Sequence, residues 1–292
     1  MSNTTMPSSL DLDRPHWLTA EDWPFPLTTI NFDDQQLSVT DVGEGPTLLI
    51  VHVGMWSIIW RDVLSELQSQ FRCVTLDAPG NGLTTGSQQI NMVHAGAAVD
   101  AVVQDLGLDD ITIVFHDLGG VASLQAAGSW PERVKGVVAV NSFGWRPSGF
   151  AFRSMLALMG NPIMRELDVW TGWLPRLSST RFGVGRNWDR TTRKTFRQPL
   201  GHSGRRSFHR YMHSVRKHDF ATVDATVSQL GQLPLLTVFG ERNDPLGFQP
   251  KWAERFPNHT QVVIPAGMHF PMCDDPHAVA TAIADWHTTQ LS

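Results

Sequence analysis

Cysteine and tyrosine are scarce in this 292-residue chain, and long apolar runs are missing. The two cysteines, Cys73 and Cys273, exclude a disulfide framework and a zinc site built from thiolates. The longest apolar stretch, residues 47–60, is broken by His52 and Gly54 and falls short of the roughly 18 residues that a membrane span needs. No basic start followed by an apolar core is present, so the sequence predicts a soluble, cytoplasmic protein with no membrane partner.

Positive charge is also in the minority, with 23 Lys or Arg against 28 Asp or Glu. This mildly acidic balance argues against a nucleic-acid partner, and the 17% charged share argues against disorder. Basic residues are concentrated at positions 176–217, which hold 12 Lys or Arg and one acid, Asp189. This stretch predicts either a solvated helical face or a surface that favours an anionic substrate or an acidic partner.

The order of hydrophobic patterns predicts the fold class. Two short β-rich segments, 28–32 and 37–42, are typical of an antiparallel hairpin at a sheet edge. The uninterrupted apolar run 47–51 is typical of a strand buried on both faces of a parallel sheet. Strand and helix patterns then alternate, which predicts an α/β fold with a mostly parallel central sheet flanked by helices.

The alternation stops for about 90 residues in the middle of the chain. Residues 143–231 show short helical segments rich in Arg and Trp, and they predict a helical cap inserted after the sixth strand. Residues 28–142 and 232–292 would then form the core, preceded by an N-terminal arm over residues 1–27.

Three loops at the predicted carboxyl ends of strands carry residues suited to nucleophilic catalysis. Asp117 stands between a strand and a helix, Asp244 follows the penultimate strand, and His269 follows the last strand. Alone, each fits an ordinary helix cap, turn residue or loop histidine. Because the carboxyl ends of parallel strands share one edge, their joint occurrence predicts a triad in the order nucleophile, acid, histidine.

Four further short motifs occur in a matching order, at residues 52–54, 56–61, 77–82 and 130–134. With them, the chain resembles the α/β-hydrolases of the haloalkane dehalogenase and epoxide hydrolase branch. The resemblance covers roughly residues 28–290. It implies an α/β-hydrolase fold with a nucleophile elbow, and a hydrolase that acts on a small molecule without a cofactor or a metal. The oligomeric state stays open.

The nucleophile position at the elbow holds Asp117, where esterases carry Ser or Cys. This residue type limits the reactions that the site can catalyse. A carboxylate is a competent nucleophile at saturated carbon or a strained ring, where it forms an alkyl ester with the protein. His269 would activate the water that hydrolyses this ester, and Asp244 would orient and stabilise the imidazolium.

The resemblance also implies a leaving-group or oxyanion site beside the elbow. The backbone N–H groups of Leu118 and of Val53 or Gly54 would face it, and His52, which is also a candidate for the substrate pocket, would support the loop. The sequence departs from the family here, because haloalkane dehalogenases place Trp where Leu118 stands and a halide-binding Asn in the His52 loop. Fluoroacetate dehalogenases carry Arg at the Leu118 position. The remaining indole candidates for the pocket, each with core packing as the alternative, are Trp56, Trp145, Trp170 and Trp173.

Epoxide opening has a difficulty of its own in this sequence. Epoxide hydrolases of this branch use two lid tyrosines as acids, whereas this chain has one tyrosine, Tyr211, with His209 or His213 as substitutes. These two histidines lack a recognised third ligand, so no metal site is predicted. The favoured function is a haloalkane dehalogenase-like hydrolase with non-standard halide-binding residues. The alternatives are an epoxide hydrolase-like enzyme, a ligand-binding protein, or a luciferase-like cofactor-free oxygenase on the same fold.

Overall fold

The computed structural model of the protein describes residues 10–11, 13–84, 86, 89–244 and 247–291. Over these residues, nine strands form one sheet in the order β1-β2-β3-β5-β4-β6-β7-β8-β9. The strands are β1 (Leu10–Asp11), β2 (Thr28–Phe32), β3 (Gln35–Val42), β4 (Thr47–Val53), β5 (Arg72–Asp77), β6 (Ile111–Asp117), β7 (Val134–Ser142), β8 (Leu235–Gly240) and β9 (His259–Ile264).

The sheet changes from antiparallel to parallel along its width. β1, β2 and β3 pair antiparallel at one edge, and β3 runs antiparallel to β5. From β5 through β4 to β9 every pairing is parallel. The predicted hairpin and the mostly parallel α/β sheet are therefore confirmed.

Helices cover both faces of this sheet. They are α1 (Arg61–Leu67), α2 (Met92–Asp105), α3 (Gly119–Ala127), α4 (Phe150–Met159), α5 (Pro162–Thr171), α6 (Trp173–Ser178), α7 (Arg190–Arg197), α8 (His202–Lys217), α9 (Ala221–Leu230), α10 (Phe248–Ala253), α11 (Pro271–Asp274) and α12 (Pro276–Leu291). Two apolar clusters lie on opposite faces, one including α2, α3 and α9 and the other α1 and α12. Every residue of β4 is buried between them, as its unbroken apolar run predicted.

The cap helices begin and end where local sequence dictates. The Asn161 side chain accepts a hydrogen bond from Ile163 N–H, Pro162 opens α5, and Gly172 in the left-handed region ends it. Asp189 caps α7 by accepting from Thr192 N–H. The cap follows β7, which is the sixth strand of the sequence prediction because β1 lies within the predicted arm.

A 3₁₀ turn, Ser57–Trp60, precedes α1. The described part of the N-terminal arm packs against the core, because Trp23 and Phe25 are buried in the cluster that contains α1. Among the helices of the described residues, none is both long and apolar enough to cross a bilayer.

Candidate active site

The candidate site lies at the carboxyl ends of β4 and β6, two neighbouring strands whose following loops lead to helices on opposite faces of the sheet. β4 continues through α1 to β5 on one flank, whereas α2 carries the chain back to β6 on the other flank. The loops that follow β4 and β6 therefore diverge, and in parallel sheets it is at such a divergence, at the carboxyl ends of the strands, that a crevice forms. Val53 at the end of β4 pairs in register with Asp117 at the end of β6.

Asp117 sits in a strained backbone conformation. It is the last residue of β6, and its φ of +49° lies in the left-handed region. Two residues later, α3 begins at Gly119. This sharp turn presents the carboxylate at the crevice, where its side chain is 21% exposed. Such strain at a strand–helix turn is typical of a functional elbow.

The glycines after the elbow are required by close packing. A Cβ at Gly119 would lie 2.4 Å from the carbonyl oxygen of Val51, and one at Gly120 would lie 2.4 Å from that of Phe143. Both neighbours are backbone atoms that cannot move aside without moving a strand end. The first turn of α3 can therefore approach β4 and β7 only without side chains.

His269 reaches the same crevice from the loop after β9. Its Nε2 lies 3.7 Å from Oδ2 of Asp117, and its side chain is 38% exposed. Glu241 accepts a hydrogen bond from Ala266 N–H at 2.7 Å, and Asp274 accepts one from Met268 N–H at 2.6 Å. The histidine is thus held on a loop whose backbone groups are paired.

Asn141, near the end of β7, links the ends of three strands through its side chain. The sequence analysis did not identify this residue. Its Nδ2 donates to the carbonyl oxygens of Met268 at 2.7 Å and His269 at 2.9 Å, and its Oδ1 accepts from Gly240 N–H at 3.1 Å. Like Asp117, it has a positive φ, of +39°. A polar residue ending a buried strand was the available signal.

A buried histidine pair lies beneath the nucleophile. His116 Nε2 is 2.8 Å from the carbonyl oxygen of His269, and its Nδ1 is 3.0 Å from Nδ1 of His52. A carbonyl only accepts, so we assign the His116 proton to Nε2; its Nδ1 then accepts from His52. The remaining nitrogen, His52 Nε2, is an acceptor that has no partner among the described residues.

Burial keeps this pair neutral. Desolvation, with a smaller contribution from the nearby His269, lowers the pKa of His52 to about 3. Desolvation likewise holds the pKa of His116 well below its ordinary value, with additional contributions from His269 and His52. His52 is 4% exposed within this pair, and its roles in the loop and in the substrate pocket stay predictions.

We expect the free energy of unfolding to fall as the pH drops below about 6.5, since the unfolded chain then binds protons that the folded histidine pair refuses. Each buried histidine contributes a slope of about 1.4 kcal/mol per pH unit in this window. In urea unfolding at pH 7 and pH 5, His116→Gln should therefore show a shallower pH dependence than the wild type, whereas the exposed control His16→Gln should not. Equal slopes for all three proteins would contradict the assignment.

Two buried polar side chains, those of Asp77 and Asn81, accept hydrogen bonds from the loops beside the elbow. Asp77 accepts from Ser57 N–H and from Leu83 N–H, both at 2.8 Å, and burial raises its pKa. Asn81 Oδ1 accepts from Gly54 N–H at 2.8 Å. This corrects one prediction, because the Gly54 amide is already engaged and does not face a leaving group. Leu118 and Val53 remain as the predicted amides next to Asp117.

The aromatic pocket candidates take different positions. The Trp56 indole N–H donates to the Phe196 carbonyl oxygen at 3.0 Å, and the Tyr211 hydroxyl donates to that of Pro79 at 2.7 Å. Trp170 is 73% exposed and lies against His202. These three are therefore not available as donors to a substrate, contrary to expectation, because two are satisfied by backbone carbonyls and one faces outward.

Trp145 keeps an unused donor. It is buried against Phe143, Phe248 and Trp252, and its indole nitrogen has no partner in the described part of the chain. Trp252 donates to the Ser142 carbonyl oxygen at 2.9 Å. Trp173 also carries a buried, unpartnered indole nitrogen.

The acid of the predicted triad is engaged elsewhere in this structure. Oδ1 of Asp244 accepts from Phe248 N–H at 2.6 Å and Oδ2 accepts from Gln249 N–H at 3.0 Å, at the start of α10. Within the described residues, no hydrogen bond or ion pair joins Asp244 to His269. The role of Asp244 as the acid that supports His269 is therefore still a prediction. His209 and His213 bind backbone carbonyls of Met159 and Gly160.

Comparison with known proteins fits this geometry. The family model of the α/β hydrolase fold matches residues 46–276. The chain belongs to the α/β-hydrolase fold family. It is 26% identical to haloalkane dehalogenase 2 of Mycobacterium tuberculosis over 276 residues, covering 90% of this chain and 95% of that protein. The predicted resemblance to this branch is confirmed.

Solved structures show the same fold. The haloalkane dehalogenase DbeA of Bradyrhizobium elkani superposes with a TM-score of 0.76 at 16% identity, covering 90% of this chain and 97% of that one. A protein described as an epoxide hydrolase from Pseudomonas aeruginosa gives 0.74 at 18% identity, covering 91% and 96%. The predicted α/β-hydrolase fold is confirmed.

Proposed function

We propose that the protein is a haloalkane dehalogenase-like hydrolase in which Asp117 forms a covalent alkyl ester. The observation that carries this proposal is the Asp117 carboxylate on a strained elbow with His269 Nε2 3.7 Å away. The relative haloalkane dehalogenase 2 supports it over 90% of the chain. The elbow and the histidine are arranged for two successive steps, alkylation and hydrolysis.

In the first step, an Asp117 oxygen attacks the carbon that bears the halogen. A carbon–oxygen bond forms, the carbon–halogen bond breaks, and its electron pair leaves with the halide. In the second step, His269 takes a proton from water, and the hydroxide adds to the ester carbonyl of Asp117. The alcohol leaves with the original Asp117 oxygen and a proton, and the carboxylate is restored.

Two further assignments in this proposal concern the halide donor and the acid of the triad. Trp145 has the free indole N–H that a departing halide needs, whereas Leu118 has none. Asp244 is proposed as the acid that supports the imidazolium of His269, which requires it to give up part of its bonding to α10. Both assignments can be tested separately from the nucleophile.

Halide displacement is favoured over epoxide opening by the position of Tyr211. Its hydroxyl is buried and donates to the Pro79 carbonyl oxygen, and burial raises its pKa, so it has no proton to deliver to a ring oxygen. A protein that only binds a ligand would have no need of a nucleophile and a base held close together.

The test is the intact mass of His269→Ala after incubation with bromooctane, ω-bromooctanoate or epoxyoctane. Removal of the base should leave the ester unhydrolysed, so a bromide substrate should add its alkyl group, whereas an epoxide would add its whole mass. The double variant Asp117→Asn/His269→Ala is the control and should stay unmodified. No adduct with any compound, or an adduct that survives in the double variant, would overturn the proposal.

A further inference from the structure

Large apolar side chains are exposed mainly on the cap. Of the ten that are exposed among the described residues, eight lie at positions 150–182. Phe150 is 88% exposed, Ile163 78% and Trp170 73%. A single exposed apolar residue is ordinary, but a group of them on one surface marks a place where another body binds.

Helix α5 exposes its apolar side and buries an acid. Ile163, Leu167 and Trp170 are spaced by four and three residues, which places them on one face of the helix, and all three are exposed. The opposite side carries Asp168, which is fully buried and lies 3.2 Å from His209 Nε2. A surface helix of a domain in water normally shows the reverse pattern, with its apolar face toward the core.

Helix α4 extends this surface. Phe150 and Leu158 lie about two turns apart on one face and are exposed, whereas Phe152 and Leu156 on the other face are buried in the core. Both α4 and α5 pack against α8, so their exposed faces point away from the body of the protein. We call the exposed apolar residues of these two helices the apolar cap surface: Phe150, Leu158, Ile163, Leu167 and Trp170.

A basic cleft lies beside Phe150. It has a volume of about 790 Å³, and its cationic lining residues are Arg146, Arg153, Arg216 and Lys217. Among the described residues that line it, none is acidic. The four cationic side chains form no hydrogen bond or ion pair within the described part of the chain, although Arg146 lies over the ring of Phe220. Cations held together without a counter-charge repel one another, and an anion in the cleft would relieve this repulsion.

The surroundings of the basic cleft add to its preference for an anion. Asp219 accepts a hydrogen bond at the start of α9, and it forms no ion pair with a described residue. Glu166 pairs with Arg165 and Arg206, neither of which lines the cleft. The N-cap of α4, Gly149, lines the cleft and offers no side-chain hydrogen bond, and the first turn of this helix contains no acid. Unpaired N–H groups and the helix dipole favour an anion at such a terminus.

The charge of the cap favours an anionic bilayer over a second copy of this chain. Residues 143–231 hold 15 Lys or Arg and five Asp or Glu. A symmetric dimer through the apolar cap surface would bring two such caps together, and their like charges would repel. A bilayer of anionic lipid offers negative headgroups to the basic cleft and acyl chains to the apolar residues in one contact.

We propose that the cap docks on the surface of a membrane that contains anionic phospholipid. The basic cleft takes lipid phosphate groups through guanidinium contacts, and Phe150, Ile163 and Trp170 enter the boundary between headgroups and acyl chains. Contact of this kind involves no spanning helix, and it departs from the sequence prediction of no membrane partner. The inference is independent of the proposed function, because neither Asp117 nor His269 takes part in it.

The test is sedimentation of the whole protein with vesicles of phosphatidylcholine, with or without about 30% phosphatidylglycerol. At low salt the partition coefficient should be at least about tenfold higher for the anionic vesicles, and added salt should reduce this difference. Lys217→Gln should lower binding to anionic vesicles about fivefold, and Ile163→Ser should lower it about tenfold. The matched controls Lys135→Gln on β7 and Val263→Ser on β9 also change exposed residues, and they should bind as the wild type does.

Equal sedimentation with both kinds of vesicle, or none with either, would overturn the proposal. Weaker binding of Lys217→Gln without weaker binding of Ile163→Ser would also overturn it, because adsorption would then depend on charge alone. A dimer seen by light scattering in the absence of vesicles, and lost in Ile163→Ser, would assign the apolar cap surface to a second copy. Binding of polyglutamate that both variants weaken, without sedimentation on vesicles, would assign it to an acidic protein.

Discussion

The Asp117→Asn variant is expected to lose turnover of every accepted substrate by at least about 10⁴-fold. The amide is not a nucleophile at saturated carbon, so neither the ester nor its hydrolysis can follow. Asparagine adopts the left-handed backbone region as readily as aspartate, so the φ of +49° is preserved. The free energy of unfolding should stay within about 0.5 kcal/mol of the wild type. Halide release and urea unfolding measure the two quantities.

The exposed Asp224→Asn on α9 is the matched control for the loss of one negative charge. It should change neither turnover nor stability. If Asp117→Asn kept about a tenth of the wild-type rate, water rather than the carboxylate would be the attacking group, and the covalent route would be wrong.

The Asn141→Gly variant is expected to lose about 2–4 kcal/mol of unfolding free energy and about 10²-fold in turnover. Glycine accepts the φ of +39°, so the change isolates the side chain. Three hydrogen bonds disappear, to Met268, His269 and Gly240, and the loop that carries His269 loses its link to β7. The base would then sample positions away from Asp117.

Asp110→Gly provides the control for this change. Asp110 also has a positive φ, of +48°, but its side chain is exposed and, among the described residues, pairs only with Lys135 at the surface. Its replacement should cost less than about 1 kcal/mol and leave turnover unaltered. If the two glycine variants behaved alike, Asn141 would have no role in positioning His269.

The fold could be predicted because it depends on patterns that a sequence displays directly. The unbroken apolar run of β4 and the alternation of strand and helix follow from burial on both sheet faces. Asp117 and His269 could be placed together because both follow strands of a parallel sheet. That rule and the family order of the triad predict that the two residues are close but give no distance, and the structure places His269 Nε2 3.7 Å from Oδ2 of Asp117.

Side-chain partners could not be predicted in the same way. The sequence predicts Tyr211 and Trp56 as pocket residues, yet each donates to a backbone carbonyl that lies far away along the chain. Asn141 and the histidine pair act through contacts between loops, and no spacing rule encodes such contacts. The partner of Asp244 could not be predicted either. A carboxylate that precedes a helix can accept hydrogen bonds from the first N–H groups of the helix, or it can accept one from a histidine.

The covalent ester on Asp117 is tested most directly by one turnover in oxygen-18 water. With enzyme in excess over ω-bromooctanoate or bromooctane, the account predicts an alcohol with ordinary oxygen, taken from Asp117, and a heavy oxygen in the peptide that contains Asp117. Incubation without substrate should leave that peptide unlabelled. An alcohol carrying the heavy oxygen, with Asp117 unlabelled, would show direct attack by water and would contradict the account.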